Sequence, residues 1–243
     1  MVETEQERIC LVKSLRRHVL TPLSDAQSFI QREYEEVEAE RQAFQQFKEC
    51  VASIDIVSPP STVPRRRTVS RTADPKPEDQ LRNAYRETVM SVSHYDDVYG
   101  ESLDTNFTAE LSITLPGQQR DSPLFTEVYK TELTAAVSRV LAQRETFCDS
   151  LQREQNSLAN GREELTDLLD NLDGPRIPSW HAADFEKRLS RCAQTRQETL
   201  QTRDQSRHTD GHDLCSYLYR EPAWTYPVLT AVARLRGAVN YRS

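Results

Sequence analysis

Glycine is scarce in this chain, with 6 in 243 residues. That argues against Gly-rich nucleotide-binding loops and against sheet folds built on tight turns. No GxGxxG, GxxxxGK[ST], HExxH or GxSxG pattern occurs, so no known constellation offers a mechanism to build on. The five cysteines (Cys10, Cys50, Cys148, Cys192, Cys215) are far apart with no CxxC pair. An odd, scattered set reads as reduced thiols in a cytoplasmic protein. No run of 18 apolar residues is present, so no membrane-spanning helix is expected. The first residues, Met1-Val2-Glu3-Thr4-Glu5, are acidic and have no apolar core of the signal-peptide kind. Lysine is nearly absent as well: 5 lysines stand against 26 arginines, which together make the 31 basic residues.

What remains is a charged, weakly hydrophobic chain. Hydrophobic residues make up 37% and charged residues 28%, and the mean hydropathy is -0.71. Such a composition speaks against one large globular core. The net charge of -7 disfavours wholesale binding to polyanions.

The apolar residues are laid out at helical spacing. A first helix is read over about 4–20, ended or kinked by Pro22, which removes a donor and crowds the preceding turn. A second helix, about 24–55, opens on a Ser24/Gln27 capping-box pattern. Along it Ile30, Val37, Phe44 and Val51 recur every seven residues, with Tyr34, Phe47 and Ile54 in the neighbouring row. A narrow apolar stripe on a charged helix is the pattern of a coiled-coil seam or a slender bundle.

Residues 57–79 carry five prolines and the run Arg65-Arg66-Arg67 with Arg71, and read as a flexible linker. Short helices follow over 80–117, one with Leu81, Tyr85 and Val89, another with Leu103, Phe107 and Leu111, until Pro116-Gly117 turns the chain.

The strongest element is a helix over 122–172, with Ser122 as cap and Pro123 in the first turn. Its seam is Leu133, Val137, Val140, Arg144, Phe147, Leu151, Glu154, Leu158, Gly161, Leu165, Leu168 and Leu172. The steps alternate four and three, and the register runs unchanged across Asn160-Gly161, which favours one continuous helix. A short connector leads to a helix over 179–207 with Phe185, Leu189 and Cys192 in register, the arrangement of an antiparallel hairpin. Two further helices are read in 210–243, around Leu214/Tyr217/Leu218 and from Thr225-Tyr226-Pro227 onward.

The fold class predicted is all-α: a long antiparallel hairpin in a coiled-coil-like bundle, with a small helical cap. The segments are 1–56 (bundle helices), 57–79 (linker), 80–117 (cap helices), 118–209 (hairpin) and 210–243 (C-terminal cap). The helices of 80–115 and 210–242 are expected to form one cap.

Four clusters bear on function. His208, His212 and Cys215 suit zinc in residue type, but Gly211 interrupts the helix face and no fourth ligand is evident, so a polar helix start is preferred. His94, Tyr95, Asp96, Asp97 and Tyr99 bring acids to an imidazole; carboxylates after Ser93 equally stabilise a helix start, and that reading is preferred. Arg65-Arg66-Arg67 and Arg71 could touch phosphates, with Thr68 and Ser70 placed for a basic-directed kinase; a solvated linker is preferred. Tyr217, Tyr219, Trp224, Tyr226 and Tyr241 interleave with Arg220, Arg234, Arg236 and Arg242, as a stacking surface would, but aromatics at helical spacing are more often core. No catalytic, cofactor-binding or metal residue is assigned, and no cofactor is expected.

Two stretches carry a resemblance: Ala84-Tyr85-Arg86-Glu87-Thr88-Val89-Met90-Ser91-Val92 with His94-Tyr95-Asp96, and Asp213-Leu214 through Tyr217-Leu218-Tyr219 to Trp224-Thr225-Tyr226-Pro227-Val228-Leu229. With the long helices between them they resemble an uncharacterised helical family common in haloarchaea, over most of the chain outside 57–79. The resemblance implies a cytosol rich in KCl, with which the arginine bias agrees, and assigns no activity. The expected function is a non-enzymatic interaction or scaffold protein, with a protein partner or self-association through seam residues such as Val140, Phe147, Leu151 and Leu158. The alternative is a regulatory nucleic-acid-binding protein using the arginine linker or the aromatic, basic tail.

Overall fold

The computed structural model describes residues 2–56, 75–95, 99–117, 124–172, 179–206, 211–220, 222 and 224–240; side chains are described for fewer of them. Among the described residues the secondary structure is helical, with no strand. In chain order the helices are α1 (Val2–Ser53), α2 (Pro77–Glu87), α3 (Leu103–Leu111), α4 (Glu127–Leu172), α5 (Ser179–Ser206), α6 (Gly211–Leu218) and α7 (Pro227–Asn240), with a 3-10 turn at Val89–Ser91. The all-α expectation therefore holds.

Two compact units form: Met1–Tyr34 with Ser150–Ser243, and Glu35–Asp149. The boundaries fall inside α1 and α4 rather than in the connections, because each of these helices is long enough to contribute a face to two cores. The segments 80–115 and 210–242, expected to share one cap, fall in different units.

In the first unit, α1 buries Val19, Leu23, Ala26 and Ile30, and α4 buries Leu151, Leu158, Leu165 and Leu168. The spacing of three and four on each helix is what turns these residues to one side. Arg16 meets Asp170 and Gln27 meets Arg162, so α1 and α4 run antiparallel here. Arg188 reaches Glu164 and Arg196 reaches Glu154, which makes α4 and α5 the antiparallel hairpin that the short connector implied; residues 173–178 lie outside the described residues. Helices α6 and α7 pack on α5.

Pro22 does not end the first helix. It sits inside α1, and Ser24 is an interior residue whose hydroxyl donates to the Leu20 carbonyl at 3.2 Å. The capping box read at Ser24/Gln27 is therefore not a helix start. A proline deprives the carbonyl four residues earlier of its amide donor. That carbonyl belongs to His18, and it accepts a hydrogen bond from Arg234 Nη1 on α7 at 2.8 Å.

Gly161 lies within α4, as the unbroken register implied, and its lack of a side chain has a tertiary reason. A Cβ built there would lie 3.0 Å and 3.1 Å from the two methyl groups of Val228 on α7. The missing side chain is what lets the two helices approach.

The second unit has a core of Phe44, Phe47 and Val51 from α1, Leu81 and Tyr85 from α2, Phe107 and Leu111 from α3, and Leu133 and Val137 from α4. Pro77 occupies the first turn of α2; residues 57–74, most of the predicted linker, are outside the described set. The Tyr85 ring stands edge-on to Phe47 at 5.1 Å and to Phe107 at 5.0 Å, a favoured aromatic geometry. Its hydroxyl donates to Asn106 Oδ1 at 2.7 Å, which satisfies both buried groups. Helix α4 begins at Glu127 rather than at Ser122, with Thr126 Oγ1 accepting from the Tyr129 amide; Ser122 and Pro123 lie outside the described residues. Lys130 Nζ donates to the carbonyls of Ala52 and Ile54, both at 2.8 Å, and so satisfies acceptors left at the end of α1.

Candidate functional site

The seam of α4 holds two charged residues among its apolar ones, Arg144 and Glu154. Each is the centre of a polar cluster, and the two clusters belong to different units.

In the second unit, Arg144 projects from α4 between two carboxylates. Its Nε donates to Glu40 Oε2 on α1 and its Nη2 to Glu110 Oε2 on α3, both at 2.9 Å. The guanidinium also lies over the Phe44 ring, 4.6 Å from its centroid, an attractive placement for a cation. Burial disfavours the charged guanidinium, but Glu110 and Glu40 outweigh it and the pKa moves up. Glu40 Oε1 accepts from the Tyr99 hydroxyl at 2.9 Å and lies 3.1 Å from His94 Nε2. Burial, then the Glu40 charge, pushes the Tyr99 phenol above its ordinary value. Two members of the predicted acid–imidazole cluster, His94 and Tyr99, are thus brought together on Glu40; Asp96 and Asp97 lie outside the described residues. Tyr95 is buried with its ring 5.5 Å from that of Tyr99.

In the first unit, Arg196 on α5 makes a two-pronged contact with Glu154. Nη2 meets Oε1 at 2.7 Å and Nη1 meets Oε2 at 2.9 Å, with 2% and 0% of the two side chains exposed. Tyr219 donates its hydroxyl to Glu154 Oε1 at 3.0 Å, and Ser157 Oγ lies 2.8 Å from Arg196 Nη1. Burial lowers the Arg196 pKa, and the bond to Glu154 more than reverses that. Burial raises the Tyr219 phenol, with Glu154 acting in the same direction. Both carboxylate oxygens are engaged, which is what holding a charge pair inside a protein requires.

Cys215, from the predicted zinc set, is buried with its sulfur 3.5 Å from Arg196 Nη2. His208 and the His212 side chain lie outside the described residues. Among the described residues, no three His, Cys, Asp or Glu side chains form a group that could hold a metal ion. Gly211 opens α6 rather than interrupting a helix face.

The aromatic, basic tail is divided. Tyr219 is core. Tyr217 is exposed and donates to Glu33 at 2.7 Å. Trp224 is half-buried with its ring 5.6 Å from that of Tyr219, and Tyr226 is half-buried. Arg220 and Arg234 are exposed, and Arg236 reaches Glu186 and Ser190. Tyr241, Arg242, Arg65, Arg66, Arg67, Thr68, Ser70 and Arg71 lie outside the described residues.

The residues the sequence reading missed are Glu40 and Glu110, indistinguishable from solvated helix-face acids, and Arg196, a charged residue four positions beyond Cys192 on its helix. The available signal was a charge at a seam position, at Arg144 and Glu154. Phe147, predicted as a seam residue, is only half-buried, and Cys148 beside it takes the buried place.

Among the described residues no helix is long and apolar enough to cross a membrane. A family described only as a domain of unknown function matches residues 21–242. No curated protein and no solved structure matches the chain.

Proposed function

The chain belongs to that family, DUF7260, and we propose that it is a non-enzymatic helical interaction module of a KCl-rich cytoplasm, binding through exposed helix surface. One observation carries the reading. At the start of α4, Leu124 and Val128 remain 73% and 68% exposed while Phe125, Tyr129 and Leu133 next to them fill the core. Large apolar side chains left in water beside a complete core are a contact surface in waiting. The two polar clusters support the same reading, because Glu40, Glu110, Arg144, Glu154 and Arg196 are all taken up in tying helices together. The arginine bias fits the saline setting that the family resemblance implies.

The test is capture from native extract at high KCl, with Leu124→Asp/Val128→Asp as control. The wild-type chain retains a defined protein, itself or another, and the double variant, with unchanged helix content and Tm, loses it. An identical set of retained proteins for both would overturn the reading. The nucleic-acid alternative has lost Tyr219 as a stacking ring, since that side chain is buried.

A further inference from the structure

Beside its buried seam, α4 carries a second stripe at alternating steps of three and four. It consists of Val128, Thr131, Ala135, Ser138 and Ala142, preceded by Leu124 in the segment leading into the helix. Four of the five helical positions are exposed and Ser138 is half-buried. The two hydroxyls are turned back onto their own helix: Thr131 donates to the Glu127 carbonyl at 2.9 Å and Ser138 to the Thr134 carbonyl at 2.8 Å. The face therefore presents mainly carbon, large at one end and small at the other.

Building on the interaction-module reading, we propose that this face pairs with the same face of a second copy of the chain, in antiparallel orientation. Antiparallel layers that set Thr131 against Ala135 also set Val128 against Ser138. Large side chains then meet small ones at both ends, which fills the seam without overcrowding. The flanking charges select the same arrangement. Glu132 and Arg139 are exposed, border the stripe on one side, and have no ion-pair partner among the described residues. In the antiparallel register Glu132 of each copy lies five residues out of direct opposition to Arg139 of the other, and because helical side chains lean toward their own N-terminus the two reach each other across the seam, twice by symmetry. A parallel pairing would instead set Glu127 against Glu132, like charge on like. Residues bordering a helical seam set orientation in this way. The helical part of the seam, from Val128 to Ala142, spans about 21 Å at roughly 1.5 Å per residue, at the low end of specific interfaces, so the pair is weak and dissociates on dilution.

Sedimentation of the full chain from micromolar to millimolar concentration tests this. The expected result is a reversible monomer–dimer equilibrium. Glu132→Arg alone and Arg139→Glu alone each weaken it about tenfold, and the double reversal restores it. Oxidation of a mixture of Thr131→Cys and Ala135→Cys chains links them to each other in preference to themselves. A chain that stays monomeric throughout, or a double reversal that restores nothing, overturns the self-pairing. The broader reading falls separately, only if extract capture is also unaffected by the Leu124/Val128 double variant.

Discussion

The carbonyl oxygen of His18 accepts a hydrogen bond from Arg234 Nη1 at 2.8 Å. This is the carbonyl that Pro22, lacking an N–H, leaves without its helical donor. A residue of α7, more than two hundred positions away, thus completes the hydrogen bonding of α1 at the point where the sequence pattern predicts a break. Arg234→Ala is expected to cost about 1 kcal/mol, the usual net value of one intramolecular hydrogen bond. In a Pro22→Ala background the same change should cost close to nothing, because the restored amide takes the carbonyl. A double-mutant cycle by urea denaturation checks this, and equal costs in both backgrounds would contradict it.

Glu154 and Arg196 should behave as a buried pair. Arg196→Met alone leaves a charged carboxylate in the interior and is expected to cost roughly 3–5 kcal/mol. Replacing both by apolar residues of similar size, Glu154→Leu with Arg196→Met, should recover much of that loss. Equilibrium unfolding of the four chains decides the matter; a double variant as unstable as the sum of the singles would mean that the pair is not coupled.

Gly161 is expected to resist enlargement despite lying in a helix, where glycine is otherwise a poor choice. Gly161→Leu drives a side chain into Val228 and should cost roughly 1–3 kcal/mol. Val228→Ala in that background should return part of the loss. Thermal unfolding measures both, and strict additivity would show that the two sites do not touch.

Phe47 and Phe147 should separate sharply. Phe47 lies fully buried against Tyr85 and Phe107, and Phe47→Ala is expected to cost roughly 3–5 kcal/mol. Phe147, half-buried, should cost clearly less on the same change. Equal losses in chemical denaturation would restore Phe147 to the core.

Glu38 makes stability depend on pH at the acid end. Its bond to Arg41 is the main cause that lowers its pKa from 4.5 to about 2. A depressed carboxyl stabilises the fold above pH 4.5, and the contribution is lost as the pH falls toward 2. The pair lies near the surface, with 24% of the Glu38 side chain and 39% of the Arg41 side chain exposed, so the effect is at most about 1 kcal/mol. Glu38→Gln should be less stable than wild type at pH 6 and approach it near pH 2.5. A gap between the two chains that stays constant with pH would rule this out.

The helices and most of their buried faces were legible in the sequence. Ile30, Val37, Phe44 and Val51 on α1, and Leu133, Val137, Val140, Leu151 and Leu158 on α4, are all buried, because a period near 3.6 defines a helix face without reference to anything else in the fold. The continuity of α4 through Gly161 followed from the same register. Local signals misled at Pro22 and Ser24, where a proline and a capping pattern imply a boundary; the helix continues, and the carbonyl that Pro22 leaves open is met by Arg234 from α7. The sequence likewise marked Arg144 and Glu154 as charges on an apolar stripe, but not their partners. Glu40, Glu110 and Arg196 are ordinary helix-surface residues by pattern, and become interior ones only through which helices meet and at what register. Periodicity determines which side of a helix is turned inward, whereas the identity of the side chain opposite depends on contacts distant in the chain, and these the tertiary structure alone decided.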